Sequence, residues 1–350
     1  MIKSLELKNF TAFKDLRIEF SPGINVIIGE NGTGKTKLLN AAYALCSPCG
    51  IIPVTVFPDH GHMAVASSFT KRLVDIFLPL HGMLGHLYHV GSDGEASLSV
   101  AVGPNAEFQA MFLPMEPVVR IAGTFEKIME IKPTLIPTKE VLSLMQGFER
   151  LYKQYQIQVD ETYADICAWL GIPPLRSENM SETIKDSIKK IEVVCGGRFV
   201  FDGIKVSFFA NGHEYSVNSI AEGFRKFGAL SRLLENGVIE PGVRGPLFWD
   251  EPDSNLNPAL MKLLVQILLE LSRNGQQIIL ATHDYVLLKW FDLLMDKGKE
   301  DHVRYHSLYR DKNSKEIKLK SSDDYISVSA SAISDTFAEL YDEEVNRALR

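Results

Sequence analysis

The sequence predicts an α/β fold with a mixed central sheet, an antiparallel β part and a helical insertion. The first observation is the apolar run at residues 24–28, which precedes a glycine-rich loop and a segment with helical spacing of apolar residues. Strand, loop and helix in that order are typical of a phosphate-binding unit. The second observation is another apolar run, which ends in the carboxylates of Asp250 and Glu251. The third is the alternation of apolar and polar residues between positions 2 and 20, which predicts further strands.

The glycine-rich loop at residues 29–36 matches the pattern G-x-x-x-x-G-K-[ST]. Glycines let backbone N–H groups turn toward phosphates, and the following helix N-terminus adds partial positive charge. We predict that Lys35 neutralises the β- and γ-phosphates and that the Thr36 hydroxyl ligates Mg²⁺. The residues predicted to contact the nucleotide are consecutive: Asn31, Gly32, Thr33, Gly34, Lys35 and Thr36.

Length and composition limit the function classes. The chain has 350 residues, of which 45% are hydrophobic and 23% charged, as in ordinary soluble proteins of one or two domains. No apolar run reaches the length of a membrane span and the N-terminus does not resemble a signal peptide, so we expect a cytoplasmic protein. The net charge of −7 gives no support for a broad nucleic-acid-binding surface, although it leaves room for a local basic patch.

The cysteines do not form a metal-binding pattern. Cys46 and Cys49 make a lone C-x-x-C, whereas a structural zinc site would need a second pair, and Cys167 and Cys195 stand singly. We expect reduced thiols, with metal or redox use as the alternative. The histidines between positions 60 and 89 are expected to be loop and surface residues, because no ligand partners lie at suitable spacing.

The remaining segments set the domain organisation. Strands are predicted at 97–102 and 107–112, on either side of a turn. Helical spacing follows from about 138 to 192, with Thr138 as the expected N-cap of the first helix. These patterns are too short for a long coiled-coil arm. We predict a discontinuous core with two additions: residues 1–60 and 195–350 for the core, 61–130 for an antiparallel β part, and 131–194 for a helical insertion or lid.

Two carboxylates and a histidine complete the predicted site. Asp250 is placed to hold Mg²⁺ and Glu251 to polarise an attacking water, because neighbouring residues at a strand end point to opposite sides. An acidic turn after an edge strand is the alternative. Asn257 is the expected N-cap of a buried helix that has Pro258 in its first turn. His283 follows another buried strand and is predicted to contact the γ-phosphate or the attacking water, a purely structural histidine being the alternative.

This order of motifs resembles the ABC-type ATPase head shared by SMC-like repair proteins and OLD-like bacterial ATPases. Residues 2–10 look like the first strand of that head, 250–258 resemble its Walker B motif and D-loop, and 282–284 resemble its switch histidine. The D-loop residues would be Asn255 and Asn257. The resemblance implies a P-loop NTPase of the ABC-ATPase head type, which binds ATP with Mg²⁺ and hydrolyses the nucleotide.

Residues 220–226 lie where this family carries its signature motif. The resemblance implies that Ala221, Gly223 and Arg225 contact the γ-phosphate of ATP bound by another subunit. Ala221 stands where the family has serine, so the trans contact would lack a hydroxyl, and an ordinary amphipathic helix is the alternative. The family's Q-loop glutamine has no candidate in its expected region, residues 64–80.

Within the family, residues 136–143 and the run after Asp250 look like compact AAA-family ATPases of bacterial phage-defence and abortive-infection systems. OLD-like members often carry a fused TOPRIM nuclease, and no acidic cluster of that kind follows His283. The resemblance implies a homodimeric antiviral switch without a fused nuclease, which controls a separately encoded nuclease or toxin and reaches nucleic acid through that complex. Two alternatives stay open: an SMC-like DNA repair ATPase that binds DNA directly, and the ATPase subunit of a membrane transporter.

Overall fold

The structure is a computed structural model that describes residues 1–48, 61–124, 128, 130–155, 157–328, 339 and 341–347. The strands are β1 (Ile2–Phe10), β2 (Phe13–Glu19), β3 (Ile24–Gly29), β4 (Ala96–Val102), β5 (Ala106–Phe112), β6 (Arg120–Gly123), β7 (Thr134–Ile136), β8 (Arg198–Asp202), β9 (Lys205–Ala210), β10 (His213–Ser216), β11 (Leu247–Asp250), β12 (Ile278–Thr282), β13 (Val303–Arg310) and β14 (Ile317–Ser322). The α-helices are α1 (Lys35–Cys46), α2 (Gly61–Phe77), α3 (Met145–Tyr155), α4 (Glu161–Leu170), α5 (Glu182–Cys195), α6 (Glu222–Glu235), α7 (Pro258–Arg273), α8 (Tyr285–Leu294) and α9 (Tyr325–Val328). Short 3₁₀ helices lie at Leu80–Gly82, Leu84–Leu87, Ser177–Asn179, Val217–Ser219 and Lys297–Lys299.

The central sheet has six strands in the order β14-β13-β3-β12-β11-β7, all parallel except β14. Every residue of β3, β11 and β12 is buried, as expected for parallel strands that are covered on both faces. The register pairs Ile28 with Thr282 and Asp250 with Ala281, so the C-terminal ends of these three strands meet at one edge. The structure confirms the predicted α/β fold with a mixed central sheet.

Neighbouring side chains of the central strands point into two separate cores, because side chains alternate along a strand. Phe248 packs into the core formed with the antiparallel sheet, α1 and α2. Trp249 packs on the other side, among the apolar residues of α6, α7 and α8. The central sheet is therefore the middle layer of the fold, and its edge is fixed from both sides.

The antiparallel sheet has the order β2-β1-β4-β5-β6. Strands β4 and β5 and their turn lie where the sequence predicted them. The interval 61–130 is not all antiparallel β, because residues Gly61–Phe77 form α2. Val65, Phe69 and Leu73 are buried at helical spacing, a pattern that the sequence-based assignment of this interval missed. In addition, β4 pairs with β1, so the sheet joins the start of the chain to this interval.

The helical region contains α3, α4 and α5, in agreement with the helical spacing predicted from about 138 to 192. Asp160 caps α4 and Ser181 caps α5 through side-chain oxygens. The prediction that Thr138 caps the first helix is wrong, since α3 begins at Met145 and its backbone departs from helical angles at Gln146 and Gly147. Thr138 is separated from the helix by several residues, and its hydroxyl donates to the Asp250 carboxylate instead.

A buried ion cluster holds α4 against the phosphate-loop helix α1. The Arg72 guanidinium on α2 pairs with Glu161 at 2.6 Å and also with Asp165, both on α4. The Tyr43 hydroxyl of α1 donates to Asp165 at 2.7 Å, and the guanidinium lies 5.0 Å from the Tyr43 ring centroid. Burial raises the pKa of Tyr43 and the pKa of Glu161. Three helices are thus joined by one guanidinium.

Candidate nucleotide site

The phosphate loop joins β3 to α1 and has the backbone geometry that its sequence predicts. Gly32 and Gly34 have φ of 80° and 92°, the left-handed region that favours glycine. A Cβ atom on Gly34 would lie 2.8 Å from Cζ of Phe13, so this position also lacks room for a side chain. The Thr33 hydroxyl closes the loop by donating to the Glu30 carbonyl at 2.8 Å. The loop encloses a cavity of about 220 Å³ lined by Asn31, Gly32, Gly34, Lys35, Thr36, Lys37 and Glu251.

Lys35 lies inside this loop. Its Nζ donates to the carbonyl oxygen of Gly29 at 2.7 Å and to that of Glu30 at 3.3 Å. Burial lowers the pKa of Lys35, while the charges of Glu251 and Asp250 oppose that shift. Two backbone carbonyl groups therefore hold the ammonium group at the floor of the cavity. A bound anion would give it a charged acceptor, which forms a stronger hydrogen bond than these neutral carbonyl groups.

The Asp250 carboxylate is held on one oxygen only. Its Oδ2 accepts hydrogen bonds from the hydroxyls of Thr138 at 2.7 Å and Thr36 at 2.8 Å. Its Oδ1 is buried and has no hydrogen-bond partner among the described residues. Burial raises the pKa of Asp250, and the two hydroxyl bonds oppose that rise. An unpartnered buried carboxylate oxygen beside a threonine hydroxyl fits the all-oxygen ligand set that Mg²⁺ prefers.

Glu251 and His283 form a pair at the ends of β11 and β12. Oε1 of Glu251 lies 3.2 Å from Nδ1 of His283, and both side chains remain partly exposed. The Glu251 backbone has φ of 46°, an uncommon conformation for a residue with a side chain, and its N–H donates to the Ala281 carbonyl at 2.9 Å. The sheet thus fixes a strained backbone that directs the Glu251 carboxylate into the lining of the phosphate-loop cavity.

A buried lysine supports the segment after Glu251, a contact that the sequence did not predict. Lys226 of α6 donates from Nζ to the Glu251 carbonyl oxygen at 3.1 Å and also to the Ser254 hydroxyl. Burial lowers the pKa of Lys226. Nearby, the Thr282 hydroxyl donates to the buried carboxylate of Asp253 at 2.5 Å. These bonds tie the predicted D-loop to both α6 and β12.

The N-terminus of α6 packs directly on the predicted D-loop. Asn255 donates from Nδ2 to the Glu222 carboxylate at 2.9 Å. A Cβ on Gly223 would lie 3.2 Å from the Asn255 carbonyl oxygen, so glycine permits this close approach. Ala221 precedes the helix and offers no side-chain cap. Asn257 caps α7, as predicted, by accepting from the Ala259 N–H at 3.0 Å.

The structure differs from the sequence-based expectation for Arg225. Its guanidinium donates to the Ile220 carbonyl and pairs with Glu140 at 3.0 Å, both within the same chain. The side chain is mostly buried, so in this conformation it does not extend toward another subunit. The first N–H groups of α6 lack intrahelical acceptors, as at every helix start, and remain the donors that this helix can offer.

Thr138 is the site residue that sequence reasoning misplaced. It follows β7, which pairs in parallel with β11, and this pairing brings Thr138 to Asp250 across 112 positions of sequence. Residues 64–80, the expected position of the family's Q-loop, lie mostly in α2. The signal available in the sequence was the short apolar run that ends at Ile136-Pro137, which could have been recognised as a further strand of the parallel sheet.

The remaining expectations concern metals and membranes. Cys46, Cys167 and Cys195 are buried, whereas Cys49 and His60 lie outside the described residues. The described part of the chain contains no group of three or more His, Cys, Asp or Glu side chains arranged to hold a metal ion. Among the same residues, no helix has both the length and the apolar character needed to cross a membrane.

Two family models match the segments that build this site. One, described as an AAA domain, matches residues 4–46, from β1 through α1. The other, described as "AAA domain, putative AbiEii toxin, Type IV TA system", matches residues 185–289, which include Asp250, Glu251 and His283. The segments that build the nucleotide site are therefore similar to AAA domains. Both halves of the nucleotide site thus lie in segments that resemble ATPase domains, in agreement with the predicted enzyme class.

Individual curated proteins match only a short part of the chain. The chain matches the DNA replication and repair protein RecF of Pediococcus pentosaceus at 54% identity over 44 residues, and that of Oenococcus oeni at 52% over 44 residues. Each match covers 13% of this chain and 12% of the relative's length.

Among solved structures, the SMC head domain from Thermotoga maritima superposes with a TM-score of 0.51 at 14% identity, covering 92% of this chain and 98% of that one. An Smc head with an extended coiled coil, bound to the C-terminal domain of ScpA and derived from Pyrococcus furiosus, gives 0.54 at 14% identity, with 99% of both chains covered. The chain therefore has the fold of an SMC head over nearly its whole length.

Proposed function

We propose that this ATPase is an ATP-driven dimeric switch of a bacterial toxin-type or phage-defence system. In this proposal it acts in the cytoplasm and controls a separately encoded effector, a nuclease or a toxin. The toxin-type assignment is supported by the family model that matches residues 185–289, whose description names a toxin–antitoxin system. The switch is supported by the geometry of the nucleotide site.

The observation that carries the switch is that α6, whose N-terminus the family resemblance assigns to ATP of another subunit, does not line the phosphate-loop cavity of its own chain. The phosphate loop, Asp250 and the Glu251–His283 pair are together, yet within the described residues no part of α6 lines the phosphate-loop cavity. The N-terminus of α6 would instead offer the N–H groups of Glu222 and Gly223 to the γ-phosphate of ATP bound by a second copy. An interface that needs ATP on both sides is a two-state element that hydrolysis can reverse.

Each residue has a chemical role in the proposed reaction. The loop N–H groups and Lys35 bind the β- and γ-phosphates. Glu251 takes a proton from the water that attacks the γ-phosphorus, while the bond between that phosphorus and the β–γ bridging oxygen breaks and ADP leaves. His283 orients the Glu251 carboxylate and contacts the attacking water or the phosphate. Thr36 and Asp250 would hold Mg²⁺, which when bound neutralises charge on the phosphates. The D-loop leads from β11 into α7. Asn255 bonds this loop to α6, and Asn257 caps α7.

The decisive experiment measures the oligomeric state against nucleotide. With ATP and Mg²⁺, Glu251→Gln is expected to accumulate as a dimer in sedimentation velocity, because the dimer forms and cannot be reopened by hydrolysis. Lys35→Ala is expected to stay monomeric under the same conditions, since the γ-phosphate is no longer bound. A Glu251→Gln protein that remains monomeric with saturating ATP would refute the switch, and normal hydrolysis by that variant would refute Glu251 as the base.

Direct DNA binding, as in an SMC-like repair ATPase, is the second candidate. It is favoured by the local match to RecF and by the SMC-head fold. The net charge of −7 offers no broad attractive surface for phosphates. Titration of a labelled DNA duplex at several salt concentrations distinguishes the two, because phosphate contacts give a steep fall of affinity with salt. Tight, ATP-dependent binding with that slope would favour the repair function.

A further inference from the structure

Thr138 reaches the nucleotide site through the pairing of β7 with β11. The register places Ile136 opposite Trp249, so the two strands end side by side. Pro137 has a fixed φ and no N–H to pair, and it ends the strand. The next residue, Thr138, then donates its hydroxyl to Oδ2 of Asp250 at 2.7 Å. The contact is a consequence of strand order and does not depend on a flexible loop.

Two threonine hydroxyls therefore share one oxygen of a buried carboxylate. Thr36 donates to the same Oδ2 at 2.8 Å, and Asp250 is only 4% exposed, so water contributes little to its orientation. Each hydroxyl has a single proton to donate. Thr36 is also the residue that the phosphate-loop pattern assigns to the metal. Thr138 is the one of the two that has no other assigned partner in the site.

The segment from Thr138 to Glu140 is held by three contacts. Its carbonyl oxygen accepts from the Ser254 hydroxyl at 3.3 Å, and the neighbouring Lys139 N–H donates to the Tyr163 hydroxyl at 3.3 Å. One residue further, Glu140 pairs with Arg225. A hydroxyl on a backbone fixed in this way can hold the direction of the carboxylate, which a mobile side chain could not do.

We propose that Thr138 is a positioning residue for the metal site of this ATPase: by binding Oδ2 of Asp250, its hydroxyl keeps the unpartnered Oδ1 directed at the place where Mg²⁺ is bound. The inference rests on the proposed function, in which Asp250 binds that ion. Thr138 does not touch the nucleotide in this role and acts only through Asp250. In this proposal, a threonine just after the edge strand β7 orients the carboxylate at the end of the adjacent strand β11.

Two variants separate the hydroxyl from the shape of the side chain. Thr138→Val keeps the shape and removes the donor, whereas Thr138→Ser keeps the donor and removes a methyl group. Thr134→Val is the matched control, because Thr134 lies on β7, the strand that precedes Thr138, is buried, and donates at 3.4 Å to the Val238 carbonyl away from the site. Full-length proteins would be compared by thermal unfolding and by the affinity for a fluorescent ATP analogue, with EDTA and across a Mg²⁺ titration.

For Thr138→Val, the Mg²⁺ concentration that half-saturates nucleotide binding should rise about tenfold, as for other residues that support a metal ligand. Affinity in EDTA should stay unchanged, and Thr138→Ser and Thr134→Val should behave as the wild type. An unchanged Mg²⁺ requirement in Thr138→Val, or an equal defect in Thr138→Ser, would overturn the proposal. Should Thr138→Val fail to fold, Thr138→Ala replaces it with the same two outcomes. Wild-type affinity that is indifferent to Mg²⁺ would instead overturn the metal role of Asp250 in the proposed function.

Discussion

Nζ of Lys226 lies 3.1 Å from the backbone carbonyl oxygen of Glu251. Lys226 belongs to the helix whose N-terminus is proposed to bind ATP of a second copy, whereas Glu251 is the proposed base for ATP of its own copy. A single buried ammonium group therefore joins the two functional surfaces of one chain. Because Glu251 has an uncommon backbone conformation, a donor on its carbonyl is well placed to stabilise that conformation.

Removal of this ammonium group should slow hydrolysis more than it weakens nucleotide binding. Lys226→Met keeps the length of the side chain and loses a charge-assisted hydrogen bond of about 1.5–3 kcal/mol. We expect kcat to fall about tenfold to a hundredfold, with the dissociation constant for ATP nearly unchanged, because Lys226 does not line the phosphate-loop cavity. Steady-state kinetics and ATP binding would be measured with Lys189→Met, an exposed lysine on α5, as the control. A normal kcat in folded Lys226→Met would contradict this coupling.

The Glu251–His283 contact should make the two side chains act as a unit. Loss of a general base costs about 10²–10⁴ in rate, so Glu251→Gln should be strongly impaired. His283→Ala should be less impaired, because the carboxylate remains but loses the partner 3.2 Å away. In the double variant, the rate should be close to that of Glu251→Gln alone, since residues of one catalytic unit are not additive. Single-turnover rates of all four proteins would test this, and multiplicative losses would show that the residues act independently.

The sequence was informative where the chemistry is contiguous. The phosphate loop and the Asp250-Glu251 pair each lie within one short segment, and local pattern alone identifies the strand that supports them. Asn257 could be predicted as a cap for the same reason, since a cap and its helix are neighbours in the chain.

The residues that were missed depend on register and on tertiary packing. Thr138 reaches Asp250 only because β7 pairs with β11, and Lys226 reaches Glu251 only because α6 packs beside the end of β11. Local preference made Thr138 a reasonable helix cap, and tertiary pairing overrode it. The family resemblance of residues 220–226 placed Arg225 at the nucleotide of another subunit, yet the buried carboxylate of Glu140 pairs with it within the same chain.

The raised pKa of Asp250 predicts a stability cost at neutral pH. Burial raises this pKa above its ordinary value of 3.8, so ionisation disfavours the folded state. This cost in folding free energy is absent at a pH below the ordinary pKa of Asp250. It is complete once the pH exceeds the raised pKa of the folded state. Asp250→Asn lacks the charge, so its melting temperature relative to the wild type should increase as the pH rises above about 4, by roughly 1–2 °C per kcal/mol relieved.

Scanning calorimetry at several pH values without divalent cations would measure this difference. Asp311→Asn serves as the control of opposite sign, because the backbone N–H of Ser314 lowers the pKa of Asp311. Removal of that carboxylate should therefore lower stability at neutral pH rather than raise it. A melting difference for Asp250→Asn that is constant across pH would show that the buried carboxylate is not penalised by its surroundings.

Arg72 should be critical for stability because it neutralises two buried carboxylates at once. Arg72→Met would leave Glu161 and Asp165 without their cation, and breaking a buried pair in this way costs about 3–5 kcal/mol. Arg120→Met is the matched control, since Arg120 also pairs with two carboxylates but is 52% exposed and should cost less than about 1 kcal/mol. Urea unfolding would give both free energies. Adding Asp165→Leu to Arg72→Met should recover part of the lost stability, because it removes one of the two buried carboxylates that Arg72→Met leaves without a cation. A double variant less stable than Arg72→Met would contradict that cause.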